Sequence, residues 1–125
     1  MKDQFIDIVK GYIKRNYTQI EFIEDISSNL NCNYHSLRHD FLIKTGKTLG
    51  QYLNEIKCRK AAELLENTNW KVYKIAFEVG FRDDKYFIRV FEKLFGMSPQ
   101  AYRKFSYLRM LNIIHMFYIL TALFR

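Results

Sequence analysis

One arrangement of residues occurs twice in this chain, fifty positions apart: Leu37, Phe41, Gly46 and Tyr52 share the spacing of Phe87, Phe91, Gly96 and Tyr102. Upstream, Ile26-Ser27 and Asn31 stand in the roles of Ile75-Ala76 and Gly80. The pattern describes a short helix, a turn, a longer helix and a glycine stop. The small residue, Ser27 or Ala76, allows the first helix to pack closely on the second. Gly80, or Asn31, which tolerates the same left-handed conformation, reverses the chain between them. The longer helix buries one apolar stripe and leaves its opposite face free to enter a groove. The expected fold is therefore all-α, with two tandem helix-turn-helix subdomains.

The rest of the chain supplies the frame. Phe5, Ile8, Val9, Tyr12 and Ile13 recur at three- and four-residue intervals, which predicts a brace helix over 3–15 with those residues buried. Thr18-Gln-Ile-Glu21 has capping-box spacing. Asn33 and Asp83 are suited to cap the longer helices at 33–44 and 83–94, and Gly46 and Gly96 to end them. Residues 49–66 contain no glycine after Gly50 and are rich in helix formers, so they should form one continuous helix of roughly 27 Å. Each half of a 125-residue chain would be marginal alone, and this rod is the shared element: Ile56, Ala61, Leu64 and Leu65 can pack against both halves. The expected organisation is a domain over 1–106, with helix-turn-helix units at 18–46 and 71–96 and the linker helix at 49–66, followed by an apolar tail at 107–125.

Twenty Lys and Arg against thirteen Asp and Glu give a net charge of +7, which favours a polyanionic partner or an anionic surface. Cys32 and Cys58 belong to no CxxC pair and suit reduced thiols in a cytoplasmic compartment. The amino-terminal stretch alternates charged with apolar residues and is no secretory signal. With two grooved faces and this charge, the expected partner is double-stranded DNA, bound by a monomer. The buried stripe Tyr34, Leu37 and Phe41 turns His35, Arg38, His39 and Leu42 outward. In the second unit, burial of Phe87, Val90, Phe91 and Leu94 turns Asp84, Lys85, Ile88 and Arg89 outward. Arg38 can offer two donors to guanine O6 and N7, whereas Asp84 near phosphates needs a cytosine amino group to accept from. Lys47, Thr48, Lys71, Lys74 and Ser98 are candidates for the phosphate backbone, which needs cations and exposed N–H groups.

The run KIAFEVGFRDDKYFIRVFEKLFGMSPQAYR, residues 74–103, resembles the signature of the C-terminal DNA-binding domain of AraC/XylS-type transcriptional regulators, in its IA, VGF, YF, R-x-F, FG-x-SP and YR elements at unbroken spacing. The similarity extends over roughly residues 3–105, with 18–46 resembling the family's more variable first unit. It implies a bacterial, cytoplasmic (nucleoid-bound) regulator that works with RNA polymerase. Base reading is implied at His35, Arg38 and His39, and base or backbone contact at Asp84, Lys85, Ile88 and Arg89. Three departures stand out: Lys57 where the family usually has arginine, Ser27 for the common alanine, and Phe22 where a capping serine is usual. The chain is similar to the short, stand-alone members, or to a fragment of a longer regulator.

Cys32, His35 and His39 form a C-x2-H-x3-H run, but a fourth ligand at conventional spacing is missing, so no metal is expected. No glycine-rich phosphate loop, GxSxG or HExxH is present. The reading is therefore no enzyme, no cofactor and no small-molecule ligand in this chain. Trp70 reads as a core anchor. The tail, 107–125, carries no acidic residue and is overwhelmingly apolar. Its 15 residues from Met110 to Phe124 make about 22 Å of helix against a hydrocarbon core near 30 Å. The favoured reading is a helix folded back on the domain or paired with another copy. A membrane-surface segment, a partner-docking segment and translation past the normal end are the alternatives.

Overall fold

The computed structural model describes residues 2–124, and all the regular structure there is helical: α1 (Lys2–Asn16), α2 (Glu24–Asn29), α3 (Tyr34–Thr45), α4 (Leu49–Asn67), α5 (Val72–Glu78), α6 (Asp84–Phe95) and α7 (Pro99–Leu123). The repeat read from the sequence is a repeat in geometry. Gly46 and Gly96 end α3 and α6 with φ of 73° and 74°, and each donates its N–H to the carbonyl four residues back at 2.8 Å. Thr48 and Ser98 then start α4 and α7, each hydroxyl accepting an N–H three residues on at 3.1 Å. Phe41 meets Tyr52 edge-on at 5.4 Å between ring centres, and Phe91 meets Tyr102 edge-on at 5.5 Å. By this equivalence α7 stands to the second unit as α4 stands to the first.

Two cores form along α4, one towards each end. The first gathers Ile6, Val9 and Ile13 of α1 with Ile20, Ile26, Leu37 and Phe41, closed by Leu49 and Leu53 of α4. The second gathers Ile75, Ala76, Val79, Phe81, Phe87 and Phe91, closed by Cys58, Ala61, Ala62 and Leu65 of α4. One rod thus supplies a wall to each core, as expected, with Ile56 against the first and Ala61, Leu64 and Leu65 against the second. Phe91 is the hub of the second core. Its ring touches Phe87 at 5.6 Å, stacks on Phe95 at 4.4 Å and meets Tyr102, and deleting such a side chain costs about 3–5 kcal/mol.

The structure corrects four expectations. On α1 the buried face is Ile6, Val9 and Ile13, and Ile8 is 55% exposed; Ile6 and Ile8 flank the same stripe, and the covered side is the one packed by α2, α3 and α4. Thr18 to Glu21 caps no helix: α2 begins at Glu24 with Ile23 before it and no side-chain cap, because the chain is still turning out of α1 at residues 17–19. On α6 Leu94 is exposed and Phe95 takes its place against Phe91 and Tyr102. The tail does not fold back. It continues α7 without a break across residue 106, and residues 107–124 are exposed throughout. The most apolar 18-residue stretch of α7, mean hydropathy 1.2, has none of its residues buried, although α7 is long and apolar enough to span a bilayer by length and composition.

Candidate nucleic-acid interface

Each longer helix is launched in the same way. In the first unit Asn31 adopts φ 53°, and Asn33 Oδ1 accepts the Ser36 N–H at 3.0 Å, satisfying one of the orphan donors at the start of α3. In the second unit Gly80 adopts φ 101°, Phe81 plugs the core, and Asp83 Oδ1 accepts the Lys85 N–H at 2.9 Å. These caps place the first turns of α3 and α6 at the surface while Leu37, Phe41, Phe87 and Phe91 anchor the inner faces.

On α3 the expected stripe is exposed: His35, Arg38, His39 and Leu42 all face solvent. Tyr34, expected to be buried, is half-buried and meets the His35 ring edge-on at 5.6 Å. His39 Nδ1 lies 3.6 Å from Asp40 Oδ1. Arg38 takes part in no ion pair among the described residues, which leaves all its donors available.

On α6 the candidates divide. Lys85 and Arg89 are exposed, Asp84 is half-buried, and Ile88 is half-buried because it packs against the second core; the outward reading of Ile88 is corrected to that extent. Asp84 and Ile88 line a cleft of roughly 560 Å³ together with Lys71, Ser98 and Arg103, so two base-reading candidates and two phosphate candidates share one surface. Arg103 is held there structurally, donating to the carbonyls of Leu65 at 3.1 Å and Trp70 at 2.7 Å. Arg89 lies elsewhere on the helix. It borders the space between α6 and α4 with Asn54 and Tyr86, its guanidinium carbon 5.9 Å from the centre of the Tyr86 ring. Neither Arg38 nor Arg89 is covered by α7.

The remaining phosphate candidates differ in freedom. Lys71 is exposed just ahead of α5. Lys74 lies 4.2 Å over the half-buried Trp70 ring, a cation–π contact that retains the charge at the surface. Lys47 is paired with Glu55 at 2.5 Å, and Glu55 also holds Arg59. The Thr48 and Ser98 hydroxyls are engaged as helix caps. Lys57 was not a candidate for any role, yet it is buried within α4. Burial holds its amine below the ordinary lysine range, with the Arg82 charge acting in the same direction and Cys58 opposing it. The sequence carries two signals for it: its place in the ladder Leu53, Lys57, Ala61, Leu65, four residues apart, and a cation standing where the resembled family usually has arginine.

Two recognition-type helices, each capped, braced and cationic on its free face, define a tandem helix-turn-helix domain of the nucleic-acid-binding kind. Residues 26–104 match the family model described as helix-turn-helix domain, and the chain belongs to the AraC-type branch of that family. It is 32% identical over 101 residues to the HTH-type transcriptional activator RhaR of Enterobacter sp. (strain 638), covering 81% of this chain and 34% of that protein. It superposes on the C-terminal domain of AraT, a response regulator from Geobacillus stearothermophilus, with a TM-score of 0.75 at 30% identity, over 79% of this chain and 83% of that one. The DNA-binding domain of AdpA, solved with a target DNA, shares the fold with a TM-score of 0.75 at 24% identity, over 83% of this chain and 94% of that one. The chain spans about a third of the length of the curated relatives it matches.

Proposed function

We propose that this chain is a sequence-specific DNA-binding transcriptional regulator, or the DNA-binding part of one, that inserts α3 and α6 into successive major grooves on one side of the duplex. The observation that carries this reading is the duplicated unit itself, with exposed cations on both longer helices and a rod between them. The 19 residues of α4 make about 28 Å of helix, close to the roughly 34 Å turn of DNA. A modest bend of the duplex, costing of order a few kcal/mol, would accommodate the difference. In this reading His35, Arg38 and His39 read the first groove. Arg89 and Lys85 read the second, with Asp84 accepting from a cytosine amino group and the exposed part of Ile88 touching a thymine methyl. Lys71, Lys74, Lys47 and the helix starts at Thr48 and Ser98 hold phosphates. The chain acts in the cytoplasm as a monomer on DNA, engages RNA polymerase, and has no catalytic role.

Selection of bound duplexes from a random library, repeated at several salt concentrations, tests this. A defined motif with a salt slope is expected; a steep slope with no preferred sequence reduces the protein to a nonspecific binder. Arg89→Ala should relax preference at one position, at about 1–3 kcal/mol of discrimination. Lys71→Ala should weaken all sites evenly and lower the salt slope by about one. If Arg89→Ala changes neither affinity nor preference, α6 is not read as stated.

A further inference from the structure

A rod fixes the distance between two heads but not the roll of one about the rod's axis. Roll decides which grooves can be met together, because each base pair added between half-sites turns the next groove by about 34–36°. In this molecule the second head also touches the first half off that axis. The turn between α5 and α6 lies against the connection between α1 and α2: a Cβ built on Gly80 would stand 2.9 Å from Thr18 Cα and 3.2 Å from the Thr18 carbonyl oxygen. Lys57 grips the same turn from α4. Its Nζ donates to the Gly80 carbonyl oxygen at 3.0 Å and lies 5.2 Å from the centre of the Phe81 ring. Next in the chain, Arg82 pairs with Glu21 of the α1–α2 connection at 2.5 Å. A further link joins Asn54 Nδ2 to the Tyr86 hydroxyl at 3.1 Å.

Lys57 is an expensive residue to place here. It is 6% exposed and forms no ion pair among the described residues, and a buried cation is tolerated only where it is hydrogen-bonded. Methionine would fill the same space without that cost. What the ammonium adds is directional: it ties one carbonyl of the second head's turn to the rod.

We propose that Lys57 is a positioning residue which, with the Thr18–Gly80 contact and the Glu21–Arg82 pair, locks the roll of the second head and so sets the spacing allowed between the two half-sites. This rests on the reading that α3 and α6 both enter DNA. Base preference within each half-site belongs to α3 and α6; the number of base pairs between the half-sites belongs to the brace.

The test uses the full chain and duplexes in which the two selected half-sites are separated by spacers stepped one base pair at a time. The wild type is expected to favour one spacing. Lys57→Met should keep the base preference of each half-site while discrimination between adjacent spacings falls about tenfold, the size of one lost charged hydrogen bond. Lys57→Arg, which keeps a donor, should restore it. A folded Lys57→Met with the wild-type spacing profile overturns the proposal. If Lys57→Met does not fold, Glu21→Lys decides the matter, because it sets like charges face to face at the exposed end of the brace: a broadened or shifted profile supports the proposal and an unchanged one overturns it. A wild-type chain that selects no paired half-sites overturns the underlying reading of two DNA-entering helices. One that selects them with a spacing indifferent to these changes overturns the brace alone.

Discussion

Replacing Gly80 by alanine probes the contact between the two halves without removing any side chain already present. Two costs add. At φ 101° an L residue is held in a sparsely populated conformation, worth about 1–3 kcal/mol. The new methyl would also meet Thr18 Cα at 2.9 Å and Lys57 Cε at 3.2 Å. The lysine carbon can retreat, but the Thr18 backbone cannot without moving the α1–α2 connection, and such overpacking costs about 1–3 kcal/mol. The sum is about 2–6 kcal/mol against a total stability of about 5–15 kcal/mol. Gly96→Ala is the control, since φ is 74° there and nothing lies within 4 Å of the added carbon, so strain alone of about 1–2 kcal/mol is expected. Urea unfolding followed by far-ultraviolet circular dichroism and extrapolated to zero denaturant measures both. Equal losses in the two variants would refute the claim that the second head's turn is packed against the first half.

Other expectations concern titration, the distal helix and the caps. Burial pushes the Cys58 thiol from 9.0 up to about 12. The unfolded chain sheds that proton near pH 9 while the folded chain keeps it, so stability should fall as pH rises from 9 towards 12. Cys58→Ala should flatten that decline in urea midpoints taken at pH values below and above 9, and parallel declines would count against it. Among the described residues, ending the chain at Met110 removes only exposed ones, so the unfolding free energy should change by less than about 0.5 kcal/mol. The exposed apolar residues of α7 should make the free chain associate at high concentration, and the shortened chain should associate less in sedimentation; a stability loss above about 2 kcal/mol would mean that α7 is structural beyond Met110. Asp83→Ala removes the cap on Lys85 N–H and should cost about 1 kcal/mol in the same unfolding assay.

The second unit was legible because its signals are local and redundant. Aromatic spacing, a left-handed glycine and a capping aspartate all agree on where α6 starts, what it buries and where it stops. The misread positions are those where two equivalent residues compete and only a neighbour decides. Ile6 and Ile8 are both isoleucines beside the same stripe, and the direction of α3 and α4 selects Ile6. Leu94 fits the period of α6 as well as Phe95 does, but stacking on Phe91 at 4.4 Å selects Phe95. The exposed candidates on α3 and α6 followed from the unit's geometry, whereas the half-burial of Asp84 and the packing of Ile88 against the second core are tertiary facts. Lys57 was missed as a buried residue for a different reason. A lysine in a polar helix reads as surface, and its solvent is replaced by a carbonyl 23 positions away.

The rod that closes both cores also makes the molecule indivisible. Leu49 and Leu53 complete one hydrophobic cluster, and Cys58, Ala61, Ala62 and Leu65 complete the other, so melting either half strips a wall from its neighbour. Neither half is therefore expected to open alone, and hydrogen exchange along α4 should report a single opening transition shared by both ends. A change that loosens one reader therefore weakens the other, and the pair can drift in evolution only together.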